Sequence, residues 1–261
     1  MINHVRETLF ITVFIFVFIS VFISVKSGLA EDLQQSRKEE VMEKTVMLNP
    51  DLEWNGDNRA ELNHFILENS WKPGDTGAPP VAIFDWDNTI IKNDIGDYFF
   101  TWMLRHDLVL QAPEKNWKHS SRYLSKAALL RLNEVTRQYE PGQPLRTSTD
   151  MVCAAEFISI YTSGKTASGV VAFEGYDRHT MQPAYAWTSQ LMAGYMPQQI
   201  CGFAEKAISE ALAASPGTKA EVGGNSETSA WVRIYPQMKD LIKQLQVHGF
   251  DVWIVSASNQ Y

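Results

Sequence analysis

The chain has 261 residues, 45% of them apolar and 20% charged, with a net charge of −7. Those proportions are globular and exclude a collagen-like, wholly disordered or coiled-coil protein. The acidic balance, without a long Lys/Arg run, speaks against a nucleic-acid partner, because phosphate neutralisation supplies most non-specific affinity there. Two cysteines are too few for a disulfide scaffold or a paired CxxC zinc site.

Residues 1–30 read as an address. His4 and Arg6 precede an uncharged run of 17 residues from Leu9 to Val25, followed by small residues at Gly28 and Ala30. That pattern fits a cleaved signal peptide. It also fits a retained anchor through residues 9–25, since ~17 residues at ~1.5 Å each are the least that crosses a ~30 Å hydrocarbon core. Both readings place the rest of the chain outside the cytoplasm, periplasmic or secreted, and both limit membrane contact to the leader. In that compartment Cys153 and Cys201 become a candidate disulfide. Closing their 48-position loop is worth about 4 kcal/mol in the chain-entropy model; two buried thiols are the alternative.

Residues 31–75 form a lead-in with a helix over Arg59–Trp71, capped by Asp57 or Asn58. Pro and Gly residues between 73 and 80 break it, and the continuous apolar run Val81–Phe84 follows. Such a run suits a strand buried on both faces of a parallel sheet. Helices are predicted over Ile95–Leu110, Ser120–Tyr139, Met151–Ser163 and Gln198–Ala214, and a polar linker over Thr218–Ser229. Pro236 then opens a helix carrying Met238, Leu241, Ile242 and Leu245 at helical spacing, closed by Gly249. Phe250–Val255 is the second buried-strand candidate. The fold class is therefore α/β. A partial parallel-sheet core, in residues 76–100 and 231–261, carries an inserted helical domain over residues 101–230.

The chemistry sits at Asp85-Trp86-Asp87-Asn88-Thr89, where the first strand ends in two carboxylates one residue apart. Ligand sites in α/β sheets lie outside the carboxyl ends of the strands. Neighbouring buried anions repel, and a divalent cation relieves that repulsion. A calcium loop starting at Asp85 fails, because Thr89 and Ile90 stand where Asp/Asn and Gly are required. A metal-dependent glycosyltransferase using its D-x-D pair, and surface acids without function, are the other readings.

This pentapeptide resembles motif I, D-x-D-x-[TV], of the haloacid dehalogenase superfamily. Val255-Ser256-Ala257-Ser258 is similar to its motif II. Met192–Pro197 and Val232–Ser258 resemble the phosphoserine and phosphorylcholine phosphatase branch. The resemblance implies a Rossmann-like core with a helical cap, and a Mg²⁺-dependent phosphatase acting on a small phosphomonoester such as phosphoserine or phosphocholine. It implies Asp85 as nucleophile and metal ligand, and Asp87 as general acid, then base, and metal ligand through its carbonyl. Ser256 is the implied phosphoryl ligand, with Asn88 and Thr89 shaping the phosphate loop. Asp94 and Asp97 stand where the branch places a substrate-reading acid. Helix capping for Ser256 and dipole compensation for the two acids are the structural alternatives.

The cap is rich in aromatics: Trp102, Trp117, Tyr123, Tyr161, Tyr176, Tyr185, Trp187 and Tyr195. They could cage a quaternary ammonium or simply pack a core. No histidine is assigned to metal. A non-catalytic phosphate-binding protein on the same fold is the alternative function. The motif III base and motif IV acids should follow motif II, and the 261 residues hold neither there; Lys239 and Lys243 precede it. The chain thus reads as a fragment, and little or no turnover is expected of it. Phosphate release by the 261-residue chain, compared with a chain extended by the missing strands, checks this. Robust hydrolysis by the shorter form refutes it.

Overall fold

The computed structural model describes residues 47–224 and 226–257. The leader, the first part of the lead-in and Ser258 lie outside the described residues. Among the described residues the fold is mixed α/β, with seven α-helices and six short strands that include one parallel pair. No helix among them is long and apolar enough to cross a membrane. The chain divides into two compact units, changing over between Lys92 and Asn93 and between Arg233 and Ile234.

The first unit holds α1 (Asn58–Glu68), β1 (Val81–Phe84) and β2 (Ile91–Lys92). The chain returns to it through β5 (Arg233–Ile234), which straddles the division, then α7 (Pro236–Val247) and β6 (Asp251–Ile254). β1 and β6 pair in parallel, from Val81 against Asp251 to Phe84 against Ile254. Main-chain hydrogen bonds extend the ladder at both ends, from Asp251 N to Pro80 O (2.8 Å) and from Val255 N to Phe84 O (2.9 Å). Pro236 opens α7, and Leu241 and Leu245 of its apolar stripe are buried. With Ile66, Phe84, Ile90, Ile91 and Phe250 they form the core of this unit. Each such side chain contributes about 1.5–3 kcal/mol.

Three expectations need correction here. The strands are not buried on both faces: Val81, Ile83 and Trp253, which the register puts on one face, are 56%, 45% and 49% exposed. A continuous apolar run shows that both faces can be covered, not that they are. The first helix stops at Glu68, short of Trp71, and its N-cap Asp57 makes no side-chain capping bond. Between α7 and β6, Gly249 adopts φ +83° and a Cβ there would lie 1.9 Å from the Trp71 carbonyl oxygen. Trp71 N in turn donates to His248 O at 2.9 Å, so only glycine fits this crossing.

The second unit contains α2 (Ile95–Arg105), α3 (Lys126–Val135), α4 (Met151–Ser163), α5 (Pro183–Gln190) and α6 (Pro197–Ala213). It also contains β3 (Lys219–Val222) and β4 (Ser226–Ser229), an antiparallel hairpin where a linker was expected. The segment alternates, with Ala220 and Val222 buried while Lys219 and Glu221 are exposed, and Gly223-Gly224 turns it. That period-two signal is weak in so polar a stretch. Gly223 (φ +65°) also admits the backbone of Ala155, 2.6 Å from where its Cβ would be. The helix expected over Ser120–Tyr139 begins only at Lys126, where the Ser125 hydroxyl accepts from Ala128 N at 3.2 Å. Trp117, Phe157 and Trp187 fill the centre. The Phe157 and Trp187 rings stack at 5.7 Å, and Trp117 meets Phe157 edge-on at 5.0 Å. The indole N–H groups of Trp117 and Trp187 both have partners, Trp117 on Thr136 Oγ1 and Trp187 on Ser120 Oγ, both at 2.8 Å. The buried carboxylate of Glu156 accepts from Arg131 and from Ala167 N, both at 3.1 Å, as a buried charge requires.

Cys153 and Cys201 are both thiols, one buried and the other exposed, so the candidate bridge is not formed. Burial pushes the Cys153 thiol up to about 12, which removes the reactive thiolate near neutral pH. Iodoacetamide at pH 8 should therefore modify Cys201 in the native chain and Cys153 only after denaturation; mass spectrometry of the peptides reads the order. Gly249→Ala should cost more than about 2 kcal/mol, from the left-handed backbone and the carbonyl collision together. An unchanged urea midpoint would contradict that.

Candidate active site

β1 ends at Phe84, and the next five residues form a tight turn held by one acceptor. Trp86 O receives N–H groups from Thr89 (3.2 Å), Ile90 (2.9 Å) and Ile91 (3.1 Å). To close this turn Asn88 takes φ +55°, a left-handed conformation that asparagine tolerates better than most residues. A bridge between Asp87 and Ile91 completes the loop. Its far end is fastened to α7 by Tyr235 N donating to Ile90 O at 3.0 Å.

Within this loop the Thr89 hydroxyl donates to Asp85 Oδ2 at 3.3 Å. Asp85 Oδ1 has no partner among the described residues. Asp85, Asp87 and Thr89 are half-buried, and Asn88 is exposed. Ser256 is also half-buried, two residues beyond the end of β6. Because β1 and β6 are parallel neighbours in register, Asp85 and Ser256 leave the sheet at the same end. A cleft of about 330 Å³ borders the loop at Thr89, with Trp54, Leu62, Tyr235, Met238 and Leu241 among its walls.

Asp94 and Asp97 belong to the second unit. Asp94 is the N-cap of α2, its Oδ1 accepting from Asp97 N at 2.9 Å. Asp97 Oδ1 accepts from the Tyr161 hydroxyl on α4. Burial first, and then the Asp97 charge, raise the Tyr161 pKa well above that of an ordinary phenol. Phe100 packs on Tyr161 at 4.7 Å, and Tyr185 meets it edge-on at 5.9 Å. The Asp97–Tyr161 pair was invisible in the sequence, where no local spacing joins α2 to α4. Of the aromatics considered for a cage, Trp102, Trp117 and Trp187 are core residues, at most 3% exposed.

Among the described residues no cluster of three or more His, Cys, Asp or Glu side chains stands ready to hold a metal. The donors at the loop, the carboxylates of Asp85 and Asp87, are hard oxygens, the ligand type that magnesium takes.

No family model and no curated protein matches the chain. Among solved structures it is similar to the crystal structure of a conserved functionally unknown protein from Anaerococcus prevotii DSM 20548. The TM-score is 0.56 at 17% identity, covering 82% of this chain. The match spans 63% of the other chain's length. At that identity the likeness concerns fold alone.

Proposed function

We propose that the chain carries the nucleophile loop of a magnesium-dependent phosphomonoester hydrolase of the haloacid dehalogenase type. On this reading the first unit is part of the Rossmann-like core, and the second is its helical cap. The substrate is a small monoester of the phosphoserine or phosphocholine kind, met outside the cytoplasm. One observation supports this above the others: Asp85 and Ser256, far apart in sequence, end adjacent parallel strands on the same side, and Thr89 holds one oxygen of Asp85.

The chemistry follows from those positions. Thr89 occupies Oδ2 of Asp85 and leaves Oδ1 to attack phosphorus, forming an aspartyl-phosphate as the ester P–O bond breaks. The departing alkoxide takes its proton from Asp87, which must enter the step as the carboxylic acid. Asp87, now a carboxylate, then removes a proton from water. The resulting hydroxide attacks phosphorus, and the bond to Asp85 breaks to release phosphate. Ser256 donates its hydroxyl to a phosphoryl oxygen throughout. Magnesium, held by Asp85 and the Asp87 carbonyl, would supply positive charge where an anionic nucleophile meets an anionic ester.

The test is beryllofluoride with magnesium, read by ¹⁹F NMR on a chain that also carries the basic and acidic motifs the resemblance calls for. A bound resonance is expected, lost in Asp85→Asn together with all phosphate release. Hydrolysis that survives Asp85→Asn overturns the reading. Phosphate binding without turnover in that chain favours the non-catalytic binder.

A further inference from the structure

We propose that the cleft beside Thr89 binds a neutral, planar nitrogen heterocycle of the nucleobase kind, and that its occupancy is felt at Asp85. All its walls belong to the first unit. Its volume, about 330 Å³, lies at the small end of ligand pockets. The walls are fixed in advance. Residues 48–55 hold no helix or strand, and hydrogen bonds strap them to α1 and α7. Leu48 N donates to Asn63 Oδ1 at 3.1 Å, and Asn49 N to Asp240 Oδ2 at 2.7 Å. Within the strap, Asn49 O takes the Trp54 indole N–H at 2.9 Å. That indole is only half-buried, so it is held in place without being absorbed into the core. Side chains ordered beforehand lose less entropy when a ligand arrives.

The chemistry of the walls selects the ligand. Trp54 and Tyr235 supply aromatic surface, and Leu62, Met238 and Leu241 apolar contact; bases stack on such side chains whatever their sequence. Gln237 also lines the cleft, and its Nε2 donates to Glu53 O at 2.7 Å. That bond fixes the carboxamide and leaves Oε1 and the second N–H for a ligand. An acceptor and a donor side by side match the amino group and ring nitrogen on one edge of adenine. No Lys or Arg is among the lining residues, and Glu53 adds a carboxylate. A phosphate is therefore disfavoured, and the ligand is distinct from the monoester of the hydrolase reading. Thr89 is the link between the two places. It lines the cleft, and its hydroxyl donates to Asp85 Oδ2 at 3.3 Å.

The test titrates the 261-residue chain with adenine, with purine, which lacks the amino group, and with AMP. ¹H–¹⁵N NMR follows the Trp54 indole and the Asp85 amide. Adenine should saturate both signals at about millimolar concentration, as a molecule of its size does. It should bind about tenfold more tightly than purine, the scale of one base-reading pair, and more tightly than AMP. Trp54→Ala should weaken adenine about tenfold, the scale of one stacked base, and Trp54→Phe should restore it. Gln237→Met should abolish the preference over purine. Asp240→Ala loosens the strap but leaves the cleft lining unchanged, so the preference should survive; its loss there would trace the effect to loosening and overturn the proposal. Thr89→Val should keep adenine binding and silence the Asp85 signal. Equal binding of adenine and purine by the wild-type chain, or AMP as the tighter ligand, also overturns the proposal. An Asp85 amide that stays still while the indole shifts overturns the link to the loop. None of these outcomes depends on hydrolysis, which the beryllofluoride adduct tests separately.

Discussion

The parallel pairing of β1 with β6 is the constraint from which the candidate site follows. A parallel pair cannot be closed by a tight hairpin and needs a long connection; here that connection includes the second unit's stretch Asn93–Arg233. Parallel direction puts both carboxyl ends at one edge, and the register sets Asp85 level with Val255, one residue before Ser256. A shift by one residue would turn Phe84 outward and Ile83 inward. The buried Phe84, against an exposed Ile83 at 45%, fixes which way the chain enters the loop.

Around that ladder, backbone geometry does most of the positioning. One carbonyl, Trp86 O, gathers three amides, and Asn88 takes a left-handed conformation to permit it. The loop therefore leaves the strand as a closed turn with Asp85 at its entrance. Its exit is tied to α7 through Ile90 and Tyr235. The second unit is held by another device, a core in which buried polar groups are satisfied. The two indole N–H groups and the Glu156 carboxylate all have partners. Tyr161 and Asp97 belong to the same style of construction.

Much of the element structure was legible along the chain. The helix Met151–Ser163 begins and ends where its periodicity does, and α7 lies between the Pro and Gly that punctuate it. Boundaries failed where local chemistry competed with periodicity. Ser125 caps a helix that hydrophobic spacing alone would start earlier. The β3–β4 hairpin was concealed because only Ala220 and Val222 of its first strand are apolar, too few to reveal alternation. The exposed face of Val81, Ile83 and Trp253 could not be foreseen, since an apolar run is equally compatible with a covered or an open sheet.

What the sequence determined by itself is local: helix periods, caps and breakers, and a strand ending in two carboxylates with a threonine four residues after the first. These depend on contacts within a few residues, which spacing encodes directly. Tertiary structure alone decided that Asp85 and Ser256 share a sheet edge, that Gly249 must admit a carbonyl, and that Tyr161 holds Asp97. Each of these joins residues whose separation in sequence carries no distance information, so only the folded chain can bring them together.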